Sequence, residues 1–322
     1  MHEGAIAGAF VENYLLEKSR VVAKMQRGER SYHIFYQLCM SSWAASLSLS
    51  SADQFAFLAA SGCASVPGVD DAEDFDVVMS ALTAMGFSQE DVTWTFSLVA
   101  AVLHLGNLDF SPTDGGEGSE LQGAMDQHLS LAAHYLSVEA GTLVAALVER
   151  QVAIRGEVQH MRNKPKDAIE AVEALCKAVY SSLFDEIVRR INTAVGGEKG
   201  VSIGVLDIFG FEIFEVNSFE QLCINFTNER LQQKFNQHTF LQEETLYIAE
   251  GVQFDKVPFI DNKPVLEMLS SKPWGVLNLL DEEVRVPQGS DVKWVAKCEE
   301  RHATSRCASR PIPPDLICTH WH

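Results

Sequence analysis

The chain has 322 residues, 47% of them hydrophobic and 21% charged, a balance that excludes a low-complexity polymer and gives room for two or three subdomains. A net charge of −19 argues against nucleic acid or an anionic membrane as the main partner, since both need clustered Lys and Arg. Seven cysteines with no C-x-x-C pair, no basic n-region after Met1, and no apolar run of membrane-spanning length fit reduced thiols in a cytoplasmic protein.

Tyr14 to Val22 places Leu15, Leu16, Val21 and Val22 around Glu17, Lys18 and Arg20, and periodicity does not decide between helix and strand. After Gly28, Tyr32, Phe35, Tyr36 and Cys39 fall on one helical face. His33 has no partner at ligand spacing and reads as an ordinary helix residue. Met40 to Asp74 reads as short helices joined by loops. Asp70, Asp71, Glu73 and Asp74 suit an acidic turn capping the next helix, because no Gly supplies the sharp turn of a calcium loop. Phe75, Val78, Met79, Leu82 and Met85 predict an amphipathic helix closed by Gly86, and Val92 to Leu105 repeats the pattern.

Ser111 to Gly123, with Pro112, Gly115, Gly116 and Gly118, predicts a flexible acidic surface loop. Helices follow over Gln127 to Val148, then a short two-stranded excursion over Val152 to Val158. Arg150, Arg155, Arg162, Lys164 and Lys166 are the one marked basic cluster. Asp167 caps a helix predicted through Ile191, with Ala168, Val172, Leu175, Val179, Leu183, Phe184 and Ile187 on one face. Gly196 and Gly197 carry the chain onward.

Val201 to Leu206 is apolar, β-branched and uncharged, which predicts a strand covered on both faces of a sheet. Asp207 ends it and Gly210 follows. A carboxylate at a strand's carboxyl end is placed to hold Mg²⁺ through water, and the Gly210 N–H to meet a phosphate, a Walker-B-like arrangement. Neither Gly nor Pro occurs from Phe211 to Glu250, and Ser218 with Gln221 makes a capping box. Phe219, Leu222, Cys223 and Phe226 give an apolar face; a helix from there to Ala249 is about 48 Å long at 1.5 Å per residue. Pro264 to Leu280 reads as helix, turn and apolar second segment, with Trp274 either exposed for docking or buried under the turn. Glu299 to His322 is an unplaced tail; Cys307, Cys318, His320 and His322 match no standard zinc spacing.

Two blocks carry a family resemblance. Asp207-Ile208-Phe209-Gly210-Phe211-Glu212 with Asn217 to Gln233 (NSFEQLCINFTNERLQQ) resembles the switch II loop and relay helix of the myosin motor domain. Tyr14 to Val21 with Glu29 to Leu38 (ERSYHIFYQL) resembles the run after switch I. The likeness covers roughly residues 4 to 297. It implies a mixed α/β, mainly helical fold: part of a P-loop NTPase-type motor domain with an incomplete central sheet that includes Tyr14 to Val22. The implied divisions are an upper jaw at 1–195, the switch strand and relay helix at 196–255, part of a lower jaw at 256–298, and the tail at 299–322.

The resemblance further implies Mg-ATP as cofactor, with Asp207, Ile208, Phe209 and Gly210 facing it, Asp207 reaching Mg²⁺ through water, and Gly210 and Glu212 in catalytic positions. The implied partner is the actin filament. Lys272, Pro273, Trp274 and Gly275 would meet it in the lower jaw, and Arg155, Arg162 and Lys164 through a basic loop; the loop at 111–123 also falls at an actin-facing position. In the family Glu212 pairs with a switch I arginine. That arginine, the switch I asparagines and a G-x-x-x-x-G-K-[ST] loop do not occur here, so Glu212 is expected exposed or protonated and the loop open. The chain reads as the middle of a cytoskeletal motor, not expected to hydrolyse ATP alone. Light chains are not expected, because the lever arm falls outside it. Competing readings are a non-catalytic actin-binding chain and a helical scaffold.

Overall fold

The computed structural model describes residues 6–22, 27–154, 157–197, 200–215, 217–255, 261–286 and 289–305. Two compact units divide at Ile203 and Gly204.

In unit 1 the aromatic stripe after Gly28 folds as predicted. Helix α1 (His33–Met40) buries Phe35, Tyr36, Leu38 and Cys39 and leaves His33 exposed. Short α2 (Ala56–Ala59) follows, then α3 (Asp71–Ala84), whose N-cap Asp70 accepts hydrogen bonds from the Ala72 and Glu73 amides. Helix α4 (Gln89–Gly106) starts at a Ser88/Asp91 capping box and runs through the centre of the core, burying Phe96, Val99, Leu103 and Leu105. Each such side chain contributes about 1.5–3 kcal/mol by leaving water.

The glycine-rich stretch after α4 is not the flexible loop expected. β1 (Phe110–Pro112) and β2 (Ser119–Leu121) pair antiparallel, with Gly116 at a φ of +68° in the connection. The hairpin is held because Ser119 donates its hydroxyl proton to the Asn163 carbonyl at 2.9 Å. Helices α5 (Asp126–Tyr135) and α6 (Ala140–Val148) lead into an antiparallel ribbon, β3 (Glu149–Ile154) and β4 (Glu157–Arg162), as expected. Helix α7 (Pro165–Val195) begins two residues before Asp167 and runs four past Ile191, and its stripe of Ala168, Val172, Cys176, Tyr180 and Leu183 closes the core. Tyr32 stacks on Tyr180 at 4.8 Å between ring centroids.

A buried ion pair ties the segment leading into α1 to the start of α3. Arg30 meets Asp71 at 2.7 and 3.2 Å and lies 3.8 Å from the centre of the Tyr36 ring.

Tyr14 to Val22 does not form the expected sheet strand. Residues 6–17 lack regular structure and Lys18–Val22 is a 3-10 turn. The reason is the neighbour it finds. Just before it, Val11 exchanges hydrogen bonds with the Asn192 side chain at 2.7 and 2.9 Å and Ala9 donates to the Val195 carbonyl at 2.9 Å. Within it, the Glu17 and Arg20 carbonyls accept from the Tyr32 and Ser31 hydroxyls at 3.1 and 2.5 Å, so side chains and α7 take the place of a ladder. Gly8 and Gly197 make that approach feasible. A Cβ on Gly197 would sit 2.5 Å from the Ala7 carbonyl oxygen, and one on Gly8 would sit 2.6 Å from the Gly197 Cα.

Unit 2 contains the long helix. α8 (Phe219–Asn236), a π-helical stretch (Gln237–Gln242) and α9 (Glu243–Glu250) succeed one another without a break, ending at Gly251 with φ +69°. The span agrees with the prediction to within a residue; the π turn has no sequence signal we can identify. α10 (Lys263–Ser270), α11 (Val276–Glu283) and α12 (Asp291–His302) pack together around Leu269, Leu279, Trp294 and Cys298. The segments expected as 196–255 and 256–298 thus fall largely in one unit, since Leu222 of α8 belongs to the same cluster. Residues 299–302, expected in the tail, complete α12.

The predicted strand Val201 to Leu206 is absent. It has no regular structure, and Val205 is 92% exposed. A strand needs a partner for its N–H and C=O groups. The sheets among the described residues are the two ribbons, and no central sheet stands beside it.

Candidate functional site

The region with the most chemistry is the loop before α8. Asp207, at its start, is exposed, as are Phe209 and Gly210, and Ile208 is half-buried. A Cβ on Gly210 would meet nothing within 4 Å. From Phe209 onward the loop runs beside α8 and is fastened to it by amide side chains. Asn228 donates to the Phe209 carbonyl at 3.0 Å. Asn225, 2% exposed, accepts from the Glu212 N–H at 2.9 Å and donates to the Glu212 carbonyl at 2.8 Å. Asn217 makes the same two-way clasp with Phe214 at 3.0 and 2.9 Å.

Glu212 departs from expectation. It is half-buried, and its carboxylate accepts from the Gln221 amide at 3.3 Å. A neutral donor therefore stands beside a side chain that the sequence reading expected exposed or protonated. Gln221 also accepts from the Ser218 N–H at 2.9 Å, so the capping-box residue serves the helix start and the loop at once.

Asn217, Asn225 and Asn228 stood in the sequence only within the resembling block, and Gln221 only as the capping-box partner of Ser218, so their hold on the loop was not expected. The signal was present in their spacing. Steps of four and three put Gln221, Asn225 and Asn228 on one face of α8, beside its apolar face, while Asn217 precedes the helix. Of that apolar face, Leu222 is buried, Cys223 and Phe226 are half-buried and Phe219 is 50% exposed.

Two further groups had been singled out. Lys272, Pro273 and Trp274 form an exposed turn between α10 and α11, and Gly275, buried, is the N-cap of α11. A Cβ on Gly275 would come 2.8 Å from the Ser271 backbone. Helix α12 is docked under this turn: Trp294 donates to the Val276 carbonyl at 3.1 Å, and Lys297 bridges Glu282 and Glu283 at 3.0 and 2.8 Å. The Lys297 ammonium holds the Glu283 carboxyl below its usual range.

The basic cluster is less unified than its sequence suggests. Arg150 pairs in register with Met161 and Glu149 with Arg162, so strand alternation sends Arg150 and Arg162 to opposite faces of the ribbon. Lys164 is exposed at the N-cap of α7, whereas Arg155 lies outside the described residues, as do Cys307, Cys318, His320 and His322. Among the described residues no three His, Cys, Asp or Glu side chains group as a metal site, and no single helix is long and apolar enough to cross a membrane.

A loop clasped to an uninterrupted helix of this length is the same pair of elements that the Asp207 to Gln233 block pointed to, and the family model described as myosin head (motor domain) matches residues 1–313. The chain belongs to the myosin head family. The match reaches beyond Lys297, where the resemblance had been taken to stop, and so takes in the end of α12. Similar proteins include Myosin-1 of Arabidopsis thaliana, 43% identical over 94% of this chain and 26% of its own length. Unconventional myosin-Vb of Rattus norvegicus is 39% identical over 95% of this chain and 17% of its own. The high molecular weight form of myosin-1 of Acanthamoeba castellanii is 40% identical over 99% and 21%. This myosin head chain thus spans about a quarter or less of these relatives.

Proposed function

We propose that the chain is the switch-and-relay part of an actin-based cytoskeletal motor that hydrolyses Mg-ATP within a P-loop NTPase-type domain. These 322 residues hold no phosphate-loop motif, so hydrolysis depends on residues outside them. The observation that carries the reading is the amide stripe of Gln221, Asn225 and Asn228 on α8, which makes the loop and the long helix one mechanical piece. Asp207 and the Gly210 N–H fit a bound nucleotide, since both are open to solvent and nothing crowds them.

When bound, Mg-ATP supplies the γ-phosphoryl group that water attacks, and positioning with electrostatics provides the catalysis. Asp207 is assigned to Mg²⁺ through water, and Ile208 and Phe209 carry the backbone to Gly210. The Gly210 N–H is assigned to the γ-phosphate, with Glu212 closing the site. A loop with and without a γ-phosphate partner is a two-state element. Asn225 and Asn228 transmit that difference to α8. Lys272 to Gly275, and separately Arg155, Arg162 and Lys164, are assigned to the filament.

The chain mixed with F-actin and Mg-ATP is expected to co-sediment saturably with the filaments and to release no phosphate above background. Absence of co-sedimentation overturns the proposal in favour of a helical scaffold. Phosphate release by these residues alone overturns the assignment of the phosphate loop to residues outside them. A transcript that reads in frame into a phosphate loop separates a motor from an actin-binding chain without catalysis.

A further inference from the structure

The turn at Trp274 is not isolated on its surface. α12 presents Trp294, Val295 and Cys298 to α10 and α11, and the same stripe continues for one more turn to Arg301 and His302. There the helix meets the turn. The Arg301 guanidinium carbon lies 3.9 Å from the centre of the Trp274 ring. His302 Nε2 lies 2.9 Å from the Trp274 carbonyl, an acceptor, so that nitrogen carries the proton. Trp274 remains 47% exposed, and Lys272, Pro273 and Arg301 are exposed beside it.

The charges around it are arranged unequally. Among the described residues of unit 2, the ion pairs join Lys263 to Glu267 and Lys297 to Glu282 and Glu283; Arg301 takes part in none. In a chain of net charge −19, Arg301 over the Trp274 ring and exposed Lys272 two residues before it put two cations near one apolar centre.

We propose that Arg301 belongs to the docking surface, forming with Trp274 and Lys272 a cationic aromatic platform for the acidic surface of an actin filament. The inference rests on the actin reading above and extends it to α12, a helix whose end the sequence left unplaced. A guanidinium held over an indole still has N–H donors to offer, and they suit a carboxylate. The ring beneath holds the side chain in place, so less rotamer freedom is lost on binding. A lysine here keeps the charge and loses the planar fork.

The test is co-sedimentation of the full chain with F-actin over a series of salt concentrations, comparing wild type with Arg301→Ala, Arg301→Glu and Arg301→Lys. Arg301→Ala is expected to weaken binding about tenfold, as for loss of a partly desolvated cation–π contact and its carboxylate partner, with a shallower salt dependence. Arg301→Glu weakens it further, and Arg301→Lys falls between wild type and Arg301→Ala. Thermal melts of each variant accompany the binding curves, and Arg301→Lys carries the comparison where another variant melts early. Variants that melt like wild type and bind as tightly overturn the inference alone. Tighter binding by Arg301→Ala also overturns it, and means that Arg301 shields Trp274. A wild-type chain that pellets with anionic vesicles and not with filaments overturns this inference and the actin reading together.

Discussion

The two units treat their hydrophobic residues differently. Unit 1 brings the apolar faces of α1, α3, α4, α5, α6 and α7 against one another, and its core runs unbroken from Val21 to Leu183. Unit 2 has a small cluster around Leu279 and Trp294, while Val205, Leu206, Phe209, Phe211 and Ile248 stay exposed. Helices close their own backbone hydrogen bonds and need only a face to bury, so unit 1 finds what it needs among its own elements. A strand needs a neighbour for every second backbone group, and 201–206 has none.

The largest effect expected on this contrast comes from Asp71→Ala. It leaves the buried Arg30 guanidinium without its carboxylate and costs unit 1 about 3–5 kcal/mol, read as a fall in its denaturation midpoint. Unit 2, followed by hydrogen exchange at 276–283, should not respond. Asn225→Ala probes the other side: losing both hydrogen bonds to the Glu212 backbone costs about 1–3 kcal/mol locally. Amide exchange at 209–214 should accelerate while α4 and α7 stay protected, and unchanged exchange there would mean that Asn225 does not hold the loop.

A smaller effect is expected from pH. His104 is buried, and its Nε2 lies 3.2 Å from the Leu47 carbonyl, which fixes the proton there; its Nδ1 therefore accepts from His128 Nδ1 at 3.0 Å. Burial holds both imidazoles below the ordinary histidine value of 6.5. The unfolded chain takes up protons first, so unit 1 keeps this stability above about pH 6.5 and loses it as pH falls below that. His128→Asn should flatten the loss in a melting series from pH 7.5 to about 5.5. The smallest effect sharpens the contrast most. Val205→Thr, at an exposed position, should change stability by no more than about 0.5 kcal/mol, and a loss well above 1 kcal/mol would reveal a packed partner for the 201–206 segment.

How much the sequence disclosed follows from the same physics. Phe35 and Tyr36, Val172 and Leu183, and the Ser218 and Gln221 start of α8 were legible, because helix periodicity and capping act within a few residues of chain. Val201 to Leu206 was misread as a formed strand because its composition reports a preference and is silent about neighbours. The hairpin at Phe110 to Leu121 was hidden by glycines that serve a turn as readily as a loop. Within the candidate site, Asp207 and Gly210 stood out by their position after an apolar run. Asn225 did not, since a buried asparagine is recognisable only once the backbone it clasps is in view. Arg301 was missed for a related reason: its significance lies in a ring far away in sequence.

Gly8 and Gly197 lie where unit 1 is entered and left, with the Ala7 to Ala9 backbone against Val195 and Gly197. Nearly two hundred residues therefore depart from and return to almost the same point. That is the geometry of a detour, and a detour is free to change in length and content over evolutionary time without moving the road it leaves. Substitution of either glycine would force its mouth apart, which makes these two small residues the hinge pins of whatever variation the excursion undergoes.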